Sequence, residues 1–220
     1  MINTCDILVP TYNRKKFEKL INHNINVQTY PFIQNIIIAD DGTDDKLIIT
    51  TSKYNVLYYK VERMTIGEKR NFLLDKSPSR YSCFIDTDDM YNPNYITTSI
   101  YNLINSDKSI SGSSDMQMLS LSNGKYYRSN CMFIHALNEA TIVIDTLKTD
   151  FRFDSTMTGE ALVSLSKYIK EIYCTNIVDI MCCISHDSNT VPKNHIVDDK
   201  HEIKSPAGYT GHLEIVSGII

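Results

Sequence analysis

Short, almost wholly apolar runs alternate with amphipathic runs through the first half of the chain, and this alternation constrains the fold most. The apolar runs resemble strands buried on both faces of a sheet, and they are Cys5–Pro10, Asn35–Asp40, Val56–Lys60 and Tyr81–Asp86. The amphipathic runs predict helices, and they are Lys15–Asn24, Asp44–Lys53, Thr65–Lys76 and Pro93–Ser106. Asn92 and Pro93 are typical start signals for the last helix. Alternating strands and helices predict an α/β fold with a mostly parallel sheet, in which ligands bind beyond the carboxyl ends of the strands.

The second half of the chain has a different pattern. Asn123-Gly124 lies between two alternating runs within Met116–Tyr127 and predicts a hairpin. A strand at Ala140–Asp145, a helix from about Gly159 to Ile169 and two further strands, at 171–175 and 179–185, follow. Residues 186–220 are predicted to be a long loop whose last residues can dock as a short element.

Composition excludes several classes of protein. A chain of 220 residues can bury one core of good size. Its net charge is −4 and its sequence has no basic stripe, which argues against a nucleic-acid partner. We find no transmembrane segment and no leader-like start, so we expect a cytoplasmic protein. The six cysteines lack the pairwise spacing of a zinc site, and we expect buried, reduced thiols.

Three polar clusters directly follow three of the predicted strands. They are Pro10–Arg14, Ala39–Asp45 and Asp86–Asp89. Each alone is typical of a turn or a helix cap. Together they would meet at one edge of a parallel sheet, where a ligand binds. The carboxylates of the third cluster repel one another, and a divalent cation that also binds phosphate oxygens is the usual way to offset such charge.

In this order and spacing, "ILVPTYNR", "IIIADDGTDD", "GEKRN" and "FIDTDDMYNP" resemble the nucleotide-binding half of family 2 glycosyltransferases with the GT-A fold. The resemblance implies nucleoside contacts from the first two clusters, at Pro10, Thr11, Tyr12, Asn13, Arg14, Asp40 and Asp41. It implies base or diphosphate contacts from Lys69, Arg70 and Asn71. The family's Asp-x-Asp motif matches Asp86, Thr87 and Asp88, which implies ribose contacts near Asp86 and a Mn²⁺ or Mg²⁺ ion on Asp86 and Asp88.

The resemblance is weaker beyond residue 130. "FDSTMTGEALVSL" is similar to the family segment that supplies the catalytic base, which implies Glu160 as the base and Asp154 as second choice. The chain departs from the pattern at Ala161, where the family has an acid. His186 matches a histidine that completes the metal site in many GT-A enzymes.

The resemblance implies a three-layer α/β/α, Rossmann-like GT-A domain with a mostly parallel sheet and a smaller mixed or antiparallel acceptor-side part. Residues 1–106 would bind the nucleotide-sugar, 107–190 would form the acceptor and catalytic half, and 191–220 a tail. The implied activity is metal-dependent, inverting transfer of a sugar, most simply from a UDP-sugar, to a glycan, protein or lipid-linked acceptor.

A nucleotide-sugar-binding module with weak or no transferase activity is the main alternative, because of Ala161. Three other classes fit less well. A P-loop NTPase needs a Gly-rich phosphate loop that "TIGEKRN" does not match. A phosphatase with an Asp-x-Asp nucleophile usually carries it on the first strand, and a nucleotidyltransferase needs a Gly-rich N-terminal loop.

Overall fold

The computed structural model describes residues 3–129, 136–187, 189, 199–206 and 209–218. The strands in these ranges are β1 (Cys5–Thr11), β2 (Ile33–Asp40), β3 (Asn55–Lys60), β4 (Tyr81–Phe84), β5 (Met90–Tyr91), β6 (Ile110–Gly112), β7 (Met116–Ser120), β8 (Tyr126–Ser129), β9 (Val143–Asp145), β10 (Ile172–Cys174), β11 (Met181–Ser185) and β12 (Glu202–Ile203). The α-helices are α1 (Glu18–Asn26), α2 (Ile66–Lys76), α3 (Tyr95–Ser106), α4 (Leu162–Ser166) and α5 (Thr210–Ser217). None of the helices in the described ranges combines the length and the apolarity needed to cross a membrane.

Two sheets organise the described part of the chain. The larger has seven strands in the order β10-β6-β9-β4-β1-β2-β3, and its neighbouring strands are parallel except β9, which runs antiparallel to β4 and β6. The smaller has five strands in the order β12-β8-β7-β11-β5 and combines the parallel β7–β11 pair with antiparallel pairs. The prediction of a mostly parallel central sheet with a smaller mixed part is confirmed.

Side chains along the central strands alternate between the two faces of the sheet, and this alternation produces the helix layers on both sides. Ile7 and Val9 of β1 join an apolar cluster that includes Ile21 of α1 and residues of α3. Leu8, between them, joins a second cluster that includes Leu73 of α2. Because successive side chains of a strand point to opposite faces, one apolar run buries both faces of the sheet. The result is the expected three-layer arrangement of helix, sheet and helix.

The prediction of a helix at Asp44–Lys53 is wrong. This segment forms neither a helix nor a strand, but its burial alternates: Leu47 and Ile49 are buried in the core, whereas Ile48 between them is exposed. The Ile48 carbonyl accepts a hydrogen bond from Asn22 Nδ2 at 2.8 Å. Side chains of α1 thus replace the intrahelical hydrogen bonds that the segment lacks. The α1 side chains that bond to its backbone lie one turn apart and are Glu18, Asn22 and Asn26.

Other boundaries differ from the predictions for local reasons. β3 lies at the sheet edge, so its side chains Val56 and Leu57 are 38% and 37% exposed rather than covered. The Asn92 side chain accepts a hydrogen bond from the Asn94 amide at 2.9 Å, and this turn delays the start of α3 to Tyr95.

The helix predicted from Gly159 is shorter than expected. Gly159 has a φ of +62°, in the left-handed region, which a right-handed helix does not continue through. The residues up to Ala161 therefore form a turn, and α4 is confined to Leu162–Ser166.

The hairpin at Asn123-Gly124 is confirmed, with β7 and β8 paired antiparallel. Part of the predicted loop beyond residue 186 is structured. β12 pairs with β8, and α5 docks near α1, where His212 Nε2 lies 2.9 Å from Asn24 Oδ1. Docking of the last residues agrees with expectation, whereas residues 191–198 lie outside the described ranges.

The cysteines that the structure describes are present as thiols. Cys5, Cys83, Cys182 and Cys183 are buried, as predicted, but Cys174 is exposed because β10 lies at the sheet edge. Cys131 lies outside the described residues.

Candidate active site

The three predicted polar clusters meet at the carboxyl edge of the central sheet. β1 and β2 end together, with Thr11 opposite Asp40, and β4 runs beside β1 with Phe84 opposite Leu8. The residues that follow β1 and β4 border a cavity of about 850 Å³, whereas the cluster after β2 lies outside its lining. The predicted site residues that line it are Pro10, Thr11, Tyr12, Arg14, Lys69, Arg70, Asp86, Thr87, Asp88 and Glu160.

Arg70 of α2 connects two sides of this cavity. Its Nε donates to Glu160 Oε1 at 2.8 Å, and its Nη2 lies 3.1 Å from Asp86 Oδ1. Burial alone would lower the pKa of Arg70, but the two carboxylates raise it well above its ordinary value, so the guanidinium stays charged. Its buried Nη1 has no hydrogen-bond partner among the described residues. One guanidinium thus holds two carboxylates and retains a donor for a further oxygen.

Asp86 and Asp88 occupy different environments. Burial raises the pKa of Asp86. Arg70 opposes this rise, and repulsion from Asp88 and Glu160 adds to it. Asp88 Oδ2 accepts from Arg14 Nε at 3.1 Å and lies 3.2 Å from His186 Nε2.

The donor set fits a cation that shares its ligands with a phosphate. Asp86 Oδ1 is buried and accepts no hydrogen bond among the described residues, although Arg70 lies near it. Over those residues, no three His, Cys, Asp or Glu side chains form a ready-made metal site. Mg²⁺ is typically held by one or two carboxylates together with substrate phosphates, and Asp86 with Asp88 offers that number. His186, which the sequence resemblance implied as a further ligand, lies beside Asp88, and its role at a metal stays a prediction.

Asp41 is buried beneath the cavity wall in a network with two cations. It forms an ion pair with Lys69, and its Oδ2 accepts from Arg63 Nη1 at 2.8 Å. Burial would raise the pKa of Asp41, but hydrogen bonds from Lys69, Arg63 and the Met64 amide lower it. The Arg63 guanidinium lies 3.7 Å from the centre of the Tyr12 ring, and both side chains line the cavity. Sequence reasoning missed Arg63, which no motif marks.

Asp40 and Asn13 hold the loop after β2. Asp40 accepts from the Gly42 amide at 2.8 Å and from the Tyr58 hydroxyl at 2.6 Å. Asn13 Oδ1 accepts from the Thr43 amide at 2.6 Å. A Cβ on Gly42 would lie 2.6 Å from Asn13 N, so only glycine fits this approach. Both predicted nucleoside contacts lie outside the cavity lining and shape the loop beside it.

Asn71 and Asp154 also lie outside the lining. The Asn71 side chain makes two hydrogen bonds of 2.9 Å with the backbone of Phe153. Asp154 Oδ2 accepts from the Ser164 amide at 3.0 Å, and Oδ1 accepts from its hydroxyl at 2.8 Å. A Cβ on Gly67 would lie 1.8 Å from Asp154 O, so glycine lets α2 approach this segment. Together these contacts fix the segment that leads to Glu160.

Glu139 is a cavity residue that sequence reasoning also missed. It begins the 3₁₀ turn Glu139–Thr141 immediately before β9. Burial raises its pKa to about 7, and repulsion from Glu160 adds to the rise. The sequence signal was only a single acid directly before a predicted strand, which is too common to single out.

The described fold agrees with comparisons to known proteins. The model for "Glycosyl transferase family 2" matches residues 6–146. The glycosyltransferase GlyA of Streptococcus pneumoniae is 27% identical over 96 residues, which cover 42% of this chain and 14% of GlyA. The poly(ribitol-phosphate) β-N-acetylglucosaminyltransferase TarS of Staphylococcus aureus is 28% identical over 93 residues, which cover 39% of this chain and 16% of TarS.

Solved structures share the fold at low sequence identity. The crystal structure of S. aureus TarS 1–349 has a TM-score of 0.62 and 17% identity, over 83% of this chain and 60% of that one. The mannosyltransferase PcManGT from Pyrobaculum calidifontis, in complex with GDP-Man and Mn²⁺, has a TM-score of 0.58 and 12% identity, over 98% of this chain and 69% of that one. The chain therefore has the fold of these enzymes but spans only part of the length of TarS and GlyA.

Proposed function

Because the chain belongs to glycosyl transferase family 2, we propose that it transfers a sugar from a nucleotide-sugar donor to an acceptor hydroxyl. The observation that carries this proposal is the cavity at the carboxyl edge of the sheet, where Arg70 connects the metal-side carboxylate Asp86 to Glu160. Transfer needs charged groups that bind the donor phosphate and a carboxylate that can act on the acceptor hydroxyl, both in one site.

A UDP-sugar is the donor that the comparisons favour. TarS 1–349 has been crystallised with UDP-GlcNAc and with UDP, and PcManGT with GDP-Man and Mn²⁺. In this chain Tyr12 and Arg63 present a ring and a guanidinium for the nucleoside end. Arg70 Nη1 is a buried donor suited to a diphosphate oxygen.

Asp86 and Asp88 would hold Mn²⁺ or Mg²⁺, with His186 as a further ligand. The ion supplies positive charge that offsets the charge growing on the departing diphosphate. Arg70 lies beside Asp86 and adds a fixed positive charge to the same region.

The reaction is a direct displacement. The acceptor oxygen forms a bond to the anomeric carbon while the bond from that carbon to the diphosphate oxygen breaks, which inverts the anomeric centre. A carboxylate takes the proton of the acceptor hydroxyl. Glu160, predicted as this base, lies in the cavity but is ion-paired with Arg70, and Asp154 is bound to Ser164.

The division into a donor half (1–106), an acceptor half (107–190) and a tail (191–220), the class of acceptor and the cytoplasmic location stay predictions. Ala161 favours the second candidate function, a nucleotide-sugar-binding module without transfer. That module would bind the donor and release no UDP in the presence of any acceptor.

Calorimetric titration of UDP, with and without Mn²⁺, tests the donor site. We expect binding to wild type to depend on Mn²⁺, and Asp88→Asn to weaken it by about tenfold or more because a carboxylate ligand is lost. Asp75→Asn, an exposed carboxylate of α2 outside the cavity lining, is the matched control and should bind like wild type. Absence of UDP binding to wild type, with GDP and dTDP also silent, would contradict the proposal.

A further inference from the structure

Glu139 is placed at the cavity by a rigid connection to the predicted metal-binding segment. The buried Tyr91 hydroxyl accepts from the Asp86 amide at 2.8 Å and donates to the Ala140 carbonyl at 3.0 Å. Asn138 Oδ1 accepts from the Ala140 amide at 3.2 Å and caps the turn that begins at Glu139. The spacing between the Asp86 and Glu139 backbones is therefore fixed by one shared side chain.

Glu139 lines the same cavity as Gly159 and Glu160, which precede α4. The backbone amides of Ala161 and of Glu139 itself lower the pKa of Glu139, but burial and repulsion from Glu160 outweigh them. Ala161 has no titratable side chain, so Glu139 supplies the carboxyl group beside that position. The charged side chains that act on it are Glu160, from the turn before α4, and Arg70, from α2.

Glu160 and Glu139 differ in their partners. Glu160 is only 4% exposed and accepts from Arg70 Nε at 2.8 Å, so protonating it would break a buried ion pair. Glu139 is partly buried and makes no ion pair among the described contacts, although both carboxyl groups line the cavity. A base must accept a proton during the reaction, and Glu139 does so without breaking an ion pair.

We infer that Glu139 is the general base and that Glu160 is a positioning residue that holds Arg70. This inference rests on the proposed glycosyl transfer. A Glu139 carboxylate oxygen takes the proton of the acceptor hydroxyl as that oxygen bonds to the anomeric carbon, and the diphosphate leaves with the electron pair of the broken bond. The pKa of about 7 means that Glu139 is ionised and still basic near neutral pH.

Hydrolysis of UDP-GlcNAc tests the inference without knowledge of the acceptor, because water can replace the acceptor hydroxyl. UDP release is measured with Mn²⁺ across about pH 6 to 9 for wild type, Glu139→Gln, Glu139→Asp and Glu160→Gln. We expect Glu139→Gln to lower kcat by about 10²-fold or more while UDP binds with unchanged affinity. The wild-type rate should rise toward a plateau above about pH 7, and the Glu139→Gln residual rate should lack this rise. Glu139→Asp should recover part of the rate.

The controls separate this inference from the proposed function. Glu214→Gln, an exposed carboxylate on α5, should retain the wild-type rate. Glu160→Gln should weaken UDP binding, because Arg70 loses its partner. It should keep a pH-dependent rise, with the midpoint moved to lower pH because the repulsion between Glu160 and Glu139 is removed. A wild type that binds no nucleotide overturns the proposed function itself. A wild type that binds UDP but releases none from UDP-GlcNAc favours the binding module and overturns the role of Glu139 with the transfer. A Glu139→Gln rate and pH profile like those of wild type overturns the role of Glu139 alone.

Discussion

Replacing Glu139 by glutamine should make the protein more stable at alkaline pH. Glutamine keeps the shape of the side chain but is never charged. In the native protein, burial and repulsion from Glu160 disfavour the ionised form of Glu139 and raise its pKa. The unfolded chain has no such environment, so ionisation costs the native state free energy that the unfolded state does not lose.

The magnitude follows from the two pKa values. The pKa of Glu139 is about 7 in the folded chain, against an ordinary value of 4.5. Below pH 4.5 Glu139 is protonated in both the folded and the unfolded chain, so its ionisation does not affect the free energy of unfolding. Between the two values the native state binds more protons, so the free energy of unfolding falls as pH rises, and it levels off above about 7. At about 1.4 kcal/mol per pKa unit, the total loss is about 3 kcal/mol.

Urea unfolding of wild type and Glu139→Gln at several pH values between about 5 and 8.5 measures this loss. We expect the variant to exceed wild type by up to about 3 kcal/mol at pH 8, with the difference shrinking toward pH 5. Glu214→Gln should track wild type at every pH. A difference between Glu139→Gln and wild type that does not change with pH, or a variant less stable than wild type at pH 8, would refute the reasoning.

Three further changes test other parts of the structure. Tyr91→Phe should lower the free energy of unfolding in urea by about 2 kcal/mol and slow UDP-GlcNAc hydrolysis, because two buried backbone groups lose their partner. Asp6→Ala should cost about 3 kcal/mol or more in the same assay, because the fully buried Asp6 carboxylate accepts bonds from both Asn35 and Ser79. Arg63→Ala should weaken UDP binding in calorimetry by about tenfold through loss of the stacked guanidinium, with little change in unfolding, because the Arg63 side chain is half exposed.

The sequence predicted the features whose signals are local. The four apolar runs became strands of the central sheet, and the amphipathic run Thr65–Lys76 became α2. Because parallel strands end at one edge, the polar clusters after β1 and β4 could be assigned to one cavity without knowledge of the fold's details. The misassigned segment Asp44–Lys53 depended on partners in α1, a tertiary effect that local patterns do not contain.

The roles of the individual acids could not be predicted for the same reason. Asp40 and Asp41 are adjacent in sequence, yet Asp40 holds a turn and Asp41 pairs with Lys69 beneath the cavity wall. Asp154 and Glu160 belong to one motif, yet only Glu160 lines the cavity. The partners that separate these roles come from distant parts of the chain.

The charge balance around Arg70 helps to explain why the pKa of Glu139 is raised. The single guanidinium charge is shared between Asp86 and Glu160, which both contact it directly. Glu139 gains only a weaker attraction to Arg70, and the repulsion from Glu160 exceeds it. Glu139 receives little compensation from Arg70, and its pKa of about 7 lies near neutrality, where a general base is most effective. The instability that Glu139 imposes on the fold and the basicity that suits it to catalysis therefore have one cause, and a variant that adds a second cation beside Glu139 should lose both together.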